Sequence, residues 1–486
     1  MVSAGRHDFV VVANRLPVDR VTEEDGTTHW RTSPGGLVTA MDSVMRGRGG
    51  AWIGWAGDPG DPPEPFRTEQ DEALQLVPVG LSEEEVRNYY EGFSNDTLWP
   101  IYHDVIVPPT FHRRWWATYR KVNARFAEAA ADVAAEGATV WVHDYQLQLV
   151  PAMLRDLRPD LRIGWFDHIP FPPVELFAQL PWRAELLRGL LGADFLGFQR
   201  GTDAANFIRA CRQLLGATSK GDIVTWGGAD DDRIGAAPRT VRAAAVPISI
   251  DFRGLEELAR TPEVQQRAQE IREQLGEPEV LMLGVDRLDY TKGIRHRLRA
   301  IAELLADGDI APPEVTFVQV ATPSRERVAA YRHLREQIEG MVGRINGDYS
   351  DLGVTAVHYL HHAYPRDEMA ALYQAADVML VTPLRDGMNL VAKEYVTCRH
   401  DLGGALVLSE FTGAAQELRQ AYLCNPHDIV GLKQTILRAM RDDPKERRRR
   451  MRLMRRRVAA NDVQTWARRF LVALRYAPAR PPEDAQ

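Results

Sequence analysis

Cysteine is scarce in this 486-residue sequence, which contains only Cys211, Cys398 and Cys424. Scattered cysteines without a CxxC pair exclude a disulfide framework and a cysteine zinc site. We therefore expect a reducing, cytoplasmic environment. The aspartates at 230–232 resemble a metal-binding cluster, but glycines precede them and no predicted strand leads to them. We interpret them as a solvated loop, and we predict no required metal and no cofactor.

Long apolar runs are also absent. Because no stretch of about 18 apolar residues occurs, we predict no transmembrane helix and no membrane partner. The apolar run near the N-terminus is shorter than a signal peptide requires, since Asn14, Arg15 and Pro17 end it.

An excess of positive charge is absent too. The chain has 60 lysines and arginines but 67 aspartates and glutamates, which gives a formal net charge of -7. This balance excludes a general nucleic-acid partner but permits anionic small substrates, since a few arginines dominate the field of one site. The arginine-rich run at 447–457 could be a nucleic-acid patch. However, Met451, Met454 and Val458 recur at helical spacing, so we interpret the run as an amphipathic helix with a solvated face.

Short apolar runs bounded by polar residues predict strands that are buried on both faces of a parallel sheet. The runs are FVVVAN (9–14), ATVWVHD (138–144), RIGWFDH (162–168), VLMLGVDR (280–287), VTFVQVA (315–321), DVMLVTP (377–383) and ALVLSE (405–410). Helix-like segments such as 262–276 and 324–345 lie between them, which indicates an α/β fold. The chain is long enough for two domains, and its strand–helix rhythm restarts near 245–250. Two doubly wound domains would place ligands at the carboxyl ends of their strands.

The motif VDRLDYTKG (285–293) directly follows a predicted strand. Arg287 and Lys292 are five residues apart around a strand-to-helix turn, so both could bind one anionic group such as a diphosphate. The alternative is a surface salt bridge to Asp286 or Asp289.

A second motif, LRDGMNLVAKEYV (384–396), follows another predicted strand. Gly387 permits a tight turn, and a helix that begins near Met388 would offer backbone N–H groups to an anion. One of the carboxylates of Asp386 and Glu394 could hold sugar hydroxyls and the other ribose hydroxyls. A purely structural strand–loop–helix is the alternative.

The first half of the chain offers a second group of polar candidates. Arg15 and the glycine pair of SPGGL (33–37) could handle a phosphate. Asp144 and His168 end predicted strands, where binding residues of doubly wound sheets lie. An isolated histidine there is also commonly structural.

Together these motifs resemble the trehalose-6-phosphate synthase family of retaining glycosyltransferases. The resemblance runs from about residue 8 to residue 475. Its blocks are VVANRLP, SPGGL, YYEGFSN-x-x-LWP, WVHDYQL, HIPFPP, DRLDYTKG, TPSRERV, GRINGDY, TPLRDGMNLVAKEYV and LVLSEFTGAA.

The resemblance implies a GT-B fold, an α/β architecture of two Rossmann-like, doubly wound parallel-sheet domains that face each other across a cleft. We predict a glucose-6-phosphate domain at 1–246, a nucleotide-sugar domain at 247–460, a helix at 461–478 that packs back on the first domain, and a disordered tail at 479–486.

The family's residue roles carry over by matching position. The implied catalytic residues are Arg287, Lys292, His168 and Asp386. The implied donor-binding residues are Gly36, Arg287, Lys292, Gly387, Met388, Asn389, Leu390, Val391 and Glu394. The implied acceptor-binding residues are Arg15, Tyr90, Trp99, Asp144 and Arg325.

The resemblance also implies the reaction. Glucose would pass from UDP-glucose or GDP-glucose to glucose-6-phosphate by a front-face, internal-return mechanism, with no carboxylate nucleophile of the kind that retaining glycosidases use. A separate phosphatase would act on the product, because little sequence follows the C-terminal helix. A homodimer or homotetramer is expected.

One residue departs from the family pattern. Asp167 precedes His168 at a place where we expect an apolar residue. Its carboxylate would raise the pKa of the histidine if it faced the site. Alternatively it would face away and pair with an arginine.

Three other functions are compatible with parts of the sequence to different degrees. An enzyme of this fold that uses another acceptor, or that joins cyclitols, would share most motifs, whereas a sugar-phosphate sensor would have lost charges that are present here. The sequence gives little support to a Rossmann dehydrogenase, because no GxGxxG follows the first strand and opens a helix.

Overall fold

The computed structural model describes residues 6–22, 27–33, 41, 44, 45, 49–68, 71–227 and 238–478. The chain divides into two compact units, Met1–Ile248 with Val463–Gln486, and Ser249–Asp462. Both boundaries lie two residues after those proposed from the sequence. The last segment of the chain therefore belongs to the first unit.

The first unit contains a ten-stranded sheet with the order β10-β11-β12-β9-β8-β7-β1-β4-β6-β5. Strands β12 through β6 in that order run parallel, and antiparallel strands flank them on both sides. A separate antiparallel hairpin consists of β2 and β3. The strands are β1 (His7–Arg15), β2 (Val18–Thr22), β3 (Thr28–Thr32), β4 (Gly50–Trp55), β5 (Phe66–Thr68), β6 (Asp71–Pro78), β7 (Ala134–His143), β8 (Arg162–Phe166), β9 (Phe195–Phe198), β10 (Thr218–Lys220), β11 (Ile223–Trp226) and β12 (Arg239–Ala245).

Helices surround this sheet. They are α1 (Glu83–Glu85), α2 (Trp99–Tyr102), α3 (Arg113–Val133), α4 (Val150–Leu157), α5 (Val174–Phe177), α6 (Arg183–Leu190) and α7 (Gly201–Leu215), together with a π-helix (Val86–Leu98) and a 3₁₀ turn (Tyr145–Leu147).

The second unit contains a six-stranded, wholly parallel sheet with the order β15-β14-β13-β16-β17-β18. Its strands are β13 (Val280–Arg287), β14 (Val315–Thr322), β15 (Val357–Leu360), β16 (Val378–Val381), β17 (Ala405–Ser409) and β18 (Tyr422–Cys424). Its helices are α8 (Phe252–Ala259), α9 (Pro262–Gln274), α10 (Ile294–Ala306), α11 (Ala329–Tyr349), α12 (Arg366–Ala375), α13 (Leu390–Cys398), α14 (Ala414–Glu417), α15 (Ile429–Arg441) and α16 (Pro444–Ala460), together with a 3₁₀ turn (Tyr290–Lys292).

All seven predicted strands are present, and all lie in the parallel parts of the two sheets. The amphipathic helix predicted around 447–457 is confirmed as α16, with Met451, Met454 and Val458 buried. The helix predicted from residue 324 was placed too early, since α11 begins at Ala329. In the described part of the chain, no helix combines the length and apolar character needed to cross a bilayer.

The final helix, α17 (Val463–Arg475), packs into the core of the first unit. The ring of Phe470 stacks on Trp141 of β7 with centroids 4.3 Å apart. An added Cβ at Gly164 or Gly197 would lie 2.8 or 2.7 Å from a ring atom of Phe470, so the neighbouring strands need glycine there. The helix is thus an integral layer of this unit.

Candidate active site

In the second unit, the motif at 285–293 forms the turn from β13 into α10. Its last residue, Gly293, has φ +66°, and an added Cβ would lie only 2.1 Å from the carbonyl oxygen of Thr382. The Leu384 N–H donates to the Thr291 carbonyl at 2.7 Å. The turn is therefore held against the segment that follows β16, and only glycine fits at its end.

Two of the predicted site residues meet here. Lys292 Nζ lies 2.6 Å from Asp386 Oδ2, and both side chains are mostly buried. Asn389 Nδ2 donates to the same carboxylate oxygen at 3.2 Å. The predicted alternative, a salt bridge from this motif's cations to Asp286 or Asp289, is wrong for Lys292, which pairs with Asp386. Arg287, at the end of β13, is exposed, and its charge helps to lower the pKa of Asp289.

The helix after Asp386 begins two residues later than expected. Asn389, with φ +75°, is the N-cap of α13, and its side chain accepts from the Ala392 N–H at 3.1 Å. The N–H groups of Leu390 and Val391 then have no acceptor within the helix. Such a helix start is a binding place for an anion.

The loop that contains Asp386 is hydrogen-bonded to the loop that follows β17. The Asp386 N–H donates to the Phe411 carbonyl at 3.2 Å, and the Ala414 N–H donates to the Met388 carbonyl at 2.8 Å. A Cβ at Gly413 would lie 2.0 Å from the Gly387 carbonyl oxygen. Sequence reasoning gave Gly413 no role, although it belongs to the matching block LVLSEFTGAA.

Glu394 has a different hydrogen-bond partner. It lies on α13, half-buried, and its Oε2 accepts from the Tyr373 hydroxyl at 2.8 Å. Burial raises the pKa of this carboxyl, while the hydrogen bond from Tyr373 and the charge of Arg366 oppose that rise.

Arg325 is held by residues of the 285–293 turn and of α11. Its Nη1 lies 3.2 Å from Asp289 Oδ2, and it also bonds to the Tyr331 hydroxyl. Arg325 adopts φ +51°, an uncommon value for a residue with a side chain. Burial raises the pKa of Asp289, but the charges of Arg325, Arg287 and Lys292, together with the hydrogen bond from the Thr291 N–H, lower it to about 2.

A buried arginine that sequence reasoning missed lies behind these groups. Arg297 of α10 has no exposed side-chain surface, and its Nη1 donates to Asp286 at 2.8 Å and to Gln319 at 2.7 Å. Its Nε donates to Thr382 Oγ1 at 3.1 Å. Arg297 therefore links β13, β14 and the residue that follows β16.

In the first unit, Arg15 is the last residue of β1, and a carboxylate and an aromatic ring contact its side chain. Its Nη2 lies 2.6 Å from Asp19 Oδ1, and its guanidinium lies 4.7 Å from the centroid of the Trp55 ring. An added Cβ at Gly57 would lie 2.4 Å from Nη2. Trp55 also packs against Tyr90, with ring centroids 6.0 Å apart. Arg15 and Tyr90 therefore both contact the Trp55 ring.

Tyr90 and Trp99 are carried by the π-helix and the start of α2. The Trp99 N–H donates to the Ser94 carbonyl five residues earlier, which is the π-helical pattern. The Tyr89 hydroxyl donates to Asn14 Oδ1 at 2.7 Å and so fixes this helix to the end of β1. Trp99 itself is buried and stacks on His103 with centroids 4.1 Å apart.

Asp144 and His168 lie next to each other at the ends of β7 and β8. The His168 N–H donates to Asp144 Oδ1 at 3.3 Å. Asp144 has φ +75°, a strained value that the surrounding contacts must maintain. His168 Nε2 lies 3.0 Å from Nδ1 of His143, a buried residue to which the sequence analysis gave no role.

Neither outcome expected for Asp167, a raised pKa of His168 or a pair with an arginine, is observed. Its side chain is fully buried, and burial together with the charges of Asp144 and Asp203 raises the pKa of its carboxyl. Among the described residues, no arginine pairs with it. Arg200 pairs with Asp203 at 2.8 Å. The pKa of His168 is lowered by burial to about 3, not raised.

The tail predicted at 479–486 belongs to the part of the chain that the structure does not describe. Gly36 and the aspartates at 230–232 lie outside the described residues. Arg15, Tyr90, Trp99, Asp144 and His168 belong to the first unit, whereas Arg287, Lys292, Arg325, Glu394 and the 386–391 segment belong to the second.

Comparisons with known proteins agree on one family. A family model described as glycosyltransferase family 20 matches residues 7–476. The trehalose-6-phosphate synthase of Mycobacterium sp. (strain KMS) is 60% identical over 486 residues, which cover 99% of this chain and 98% of that relative.

Two solved structures are also similar. An alpha,alpha-trehalose-phosphate synthase (UDP-forming) from Burkholderia xenovorans, in complex with glucose-6-phosphate, has a TM-score of 0.87 and 35% identity, covering 97% of this chain and 100% of its own. An E. coli structure described as bound with UDP-2-fluoro glucose has a TM-score of 0.86 and 33% identity, with the same coverage of both chains.

Proposed function

This chain belongs to glycosyltransferase family 20, and from that premise we propose that it transfers glucose from a nucleotide-glucose to glucose-6-phosphate. The products are α,α-trehalose-6-phosphate and a nucleoside diphosphate. The two Rossmann-like units are those of the predicted GT-B fold class. The observation that carries the proposal is the contact of Lys292 with Asp386 beside the open N-terminus of α13.

We assign this part of the second unit to the nucleotide-sugar. Its diphosphate is bound by Lys292, Arg287 and the backbone N–H groups at 387–391, because fixed cations and a helix N-terminus together stabilise a phosphate. Asp386 then accepts hydrogen bonds from glucose hydroxyls. Glu394 binds the ribose, with Tyr373 fixing its orientation through the 2.8 Å hydrogen bond.

We assign the Arg15 group of the first unit to glucose-6-phosphate. Arg15 provides the cation for the phosphate, Tyr90 and Trp99 provide the aromatic walls of the pocket, and Asp144 accepts from a sugar hydroxyl. His168 contacts the transferred glucose. The assignments of Arg325 to the acceptor phosphate and of Gly36 to the donor stay predictions.

The proposed mechanism is a front-face, internal return. The bond between the anomeric carbon and the diphosphate oxygen breaks, and the oxygen of the incoming hydroxyl bonds to the anomeric carbon on the same face. The departing phosphate oxygen accepts the proton that this hydroxyl loses. The protein then contributes positioning and stabilisation of the charge that develops on the leaving group. No metal is required in this scheme.

Several further points stay predictions. They are a cytoplasmic location, a separate phosphatase that acts on the product, and a dimeric or tetrameric assembly. UDP-glucose is the first donor to test, with GDP-glucose as the main alternative, since both carry the same diphosphate and ribose.

The function is tested by measuring nucleoside diphosphate release from UDP-, GDP- and ADP-glucose, each with and without glucose-6-phosphate. We expect release that depends on glucose-6-phosphate, and a product with an α,α-1,1 linkage. Release that needs a different acceptor would indicate a related transferase. If no nucleoside diphosphate is released from any of the three donors, the proposal is refuted.

Replacing Arg15 with glutamine tests the acceptor site. We expect the KM for glucose-6-phosphate to rise by about 10–100-fold, because a hydrogen bond to a charged group contributes about 1.5–3 kcal/mol. The KM for the nucleotide-glucose should stay unchanged.

Arg20→Gln is the matched control for this variant. Arg20 also pairs with an aspartate, Asp58, at 2.6 Å, with its side chain 23% exposed against 31% for Arg15. Equal changes in both variants would mean that Arg15 acts through local structure and not through the phosphate.

A further inference from the structure

We propose that His143 is a positioning residue that fixes His168 as a hydrogen-bond donor, with the proton of His168 on Nδ1. This inference rests on the proposed function, in which His168 contacts the transferred glucose. It deepens that function by stating which kind of sugar atom His168 can recognise.

The geometry of the pair is direct. His143 ends β7, and His168 follows the adjacent parallel strand β8, so the two rings lie side by side. His143 Nδ1 and His168 Nε2 are 3.0 Å apart, a hydrogen-bonding distance. One of these nitrogens must carry a proton and the other a lone pair.

Both rings are neutral at physiological pH. Burial lowers the pKa of His143 well below its ordinary value, and burial lowers the pKa of His168 to about 3. Each neutral imidazole carries a single proton, so the direction of the shared hydrogen bond determines the tautomer of both rings.

The surroundings of His143 decide that direction. Its other nitrogen, Nε2, is buried and has no hydrogen-bond partner among the described residues. The rings of Trp141 and Trp466 are neighbours of the His143 ring, with centroids 4.7 and 6.5 Å from its centroid. Their only polar atoms are indole N–H groups, which donate and cannot accept.

A proton on Nε2 of His143 would therefore be a buried donor without an acceptor. Such orphaned N–H groups are rarer than buried groups with an unused lone pair. His143 accordingly carries its proton on Nδ1 and donates it to His168 Nε2. His168 Nε2 then presents a lone pair, which leaves the proton of this ring on Nδ1.

The consequence concerns substrate recognition. His168 is half-buried, so part of its surface remains accessible, and the hydrogen bond from its backbone N–H to Asp144 at 3.3 Å limits its movement. Its Nδ1–H is a fixed donor for an oxygen lone pair of the transferred sugar. The opposite tautomer would offer a lone pair to a hydroxyl proton.

The direct test is heteronuclear NMR of the full chain with ¹⁵N-labelled histidine. Among the 13 histidines, His143 and His168 are assigned by comparison with H143N and H168N variants. We expect both rings to show a protonated Nδ1 and an unprotonated Nε2. A protonated Nε2 on His168 in the wild-type protein would overturn the proposal.

Kinetics of two variants at His143 supply the functional readout. Asparagine can place an N–H near the Nδ1 position, so H143N should retain most of the turnover, whereas H143L cannot donate. For H143L we expect kcat/KM for the nucleotide-glucose to fall by about 10–100-fold, the usual loss when a residue that orients a functional histidine is replaced. The KM for glucose-6-phosphate should stay unchanged. Equal losses in H143N and H143L would contradict a role for the donated hydrogen bond.

The NMR result separates this inference from the proposed function. A wild-type protein that has the expected tautomers but no transferase activity would support the tautomer assignment while refuting the function.

Discussion

Replacing Lys292 with alanine is expected to lower kcat by about 100–1,000-fold, equivalent to about 2.7–4 kcal/mol, the scale for removing one group that stabilises a developing charge. Lys292 is held 2.6 Å from Asp386 beside the helix start that we assign to the diphosphate. Negative charge on the leaving phosphate grows in the transition state. The variant should therefore lose more in kcat than in KM for the nucleotide-glucose. Arg287→Ala should lose turnover in the same direction.

Arg295→Ala is the matched control for Lys292→Ala. Arg295 is exposed three residues further along the chain, and its guanidinium bonds to Gln337 at 2.8 Å. This variant should keep wild-type kcat. Normal turnover in Lys292→Ala, measured with saturating substrates and confirmed folding, would refute the assignment of the diphosphate site.

Replacing Arg297 with methionine should lower the free energy of unfolding of the second unit by about 3–5 kcal/mol, the cost of removing one partner of a buried ion pair. Arg297 donates to Asp286, Gln319 and Thr382, and its side chain is fully buried. Burial already raises the pKa of Asp286, and the charge of Arg297 opposes that rise. Without the arginine, the Asp286 carboxylate would be buried without its cation. Urea denaturation followed by circular dichroism measures the change.

Two further variants test this explanation. Arg299→Ala removes an exposed pair with Glu303 on the same helix, at 3.0 Å, and should cost less than about 1 kcal/mol. Adding Asp286→Asn to Arg297→Met should recover part of the lost stability, because the uncompensated charge is then gone. A double variant no more stable than Arg297→Met would show that the loss comes from packing and not from charge.

The sheets could be predicted from the sequence because their strands are buried on both faces. In VLMLGVDR the first six residues are apolar without interruption, and seven of the eight residues are at least partly buried. The π-helix Val86–Leu98 was not predicted, because Gly92, Ser94 and Asn95 interrupt any apolar period although all three are buried. Short edge strands such as Thr218–Lys220 likewise carry too few residues to show a period.

The candidate site was only partly predictable. Family blocks indicated Lys292 and Asp386 separately, but their contact depends on the parallel pairing of β13 with β16, and the two residues are 94 positions apart. His143 and Arg297 were missed because a single polar residue inside an apolar run or a helix gives no periodic signal. Their importance appears only when the partners His168 and Asp286 are in place. Asp167 was misinterpreted because the sequence does not show which face of the chain is buried.

The position of α17 in the chain has a consequence for synthesis in the cell. Phe470 fills the space beside Gly164 and Gly197, and the Trp466 ring lies near the His143 ring, with centroids 6.5 Å apart. These side chains leave the ribosome only after all of Ser249–Asp462 has been made. At the usual elongation rate of about 5–20 residues per second, the nascent first unit waits roughly 10–40 s with its aromatic core open. The core of the first unit is therefore completed only after the whole of the second unit has been synthesised.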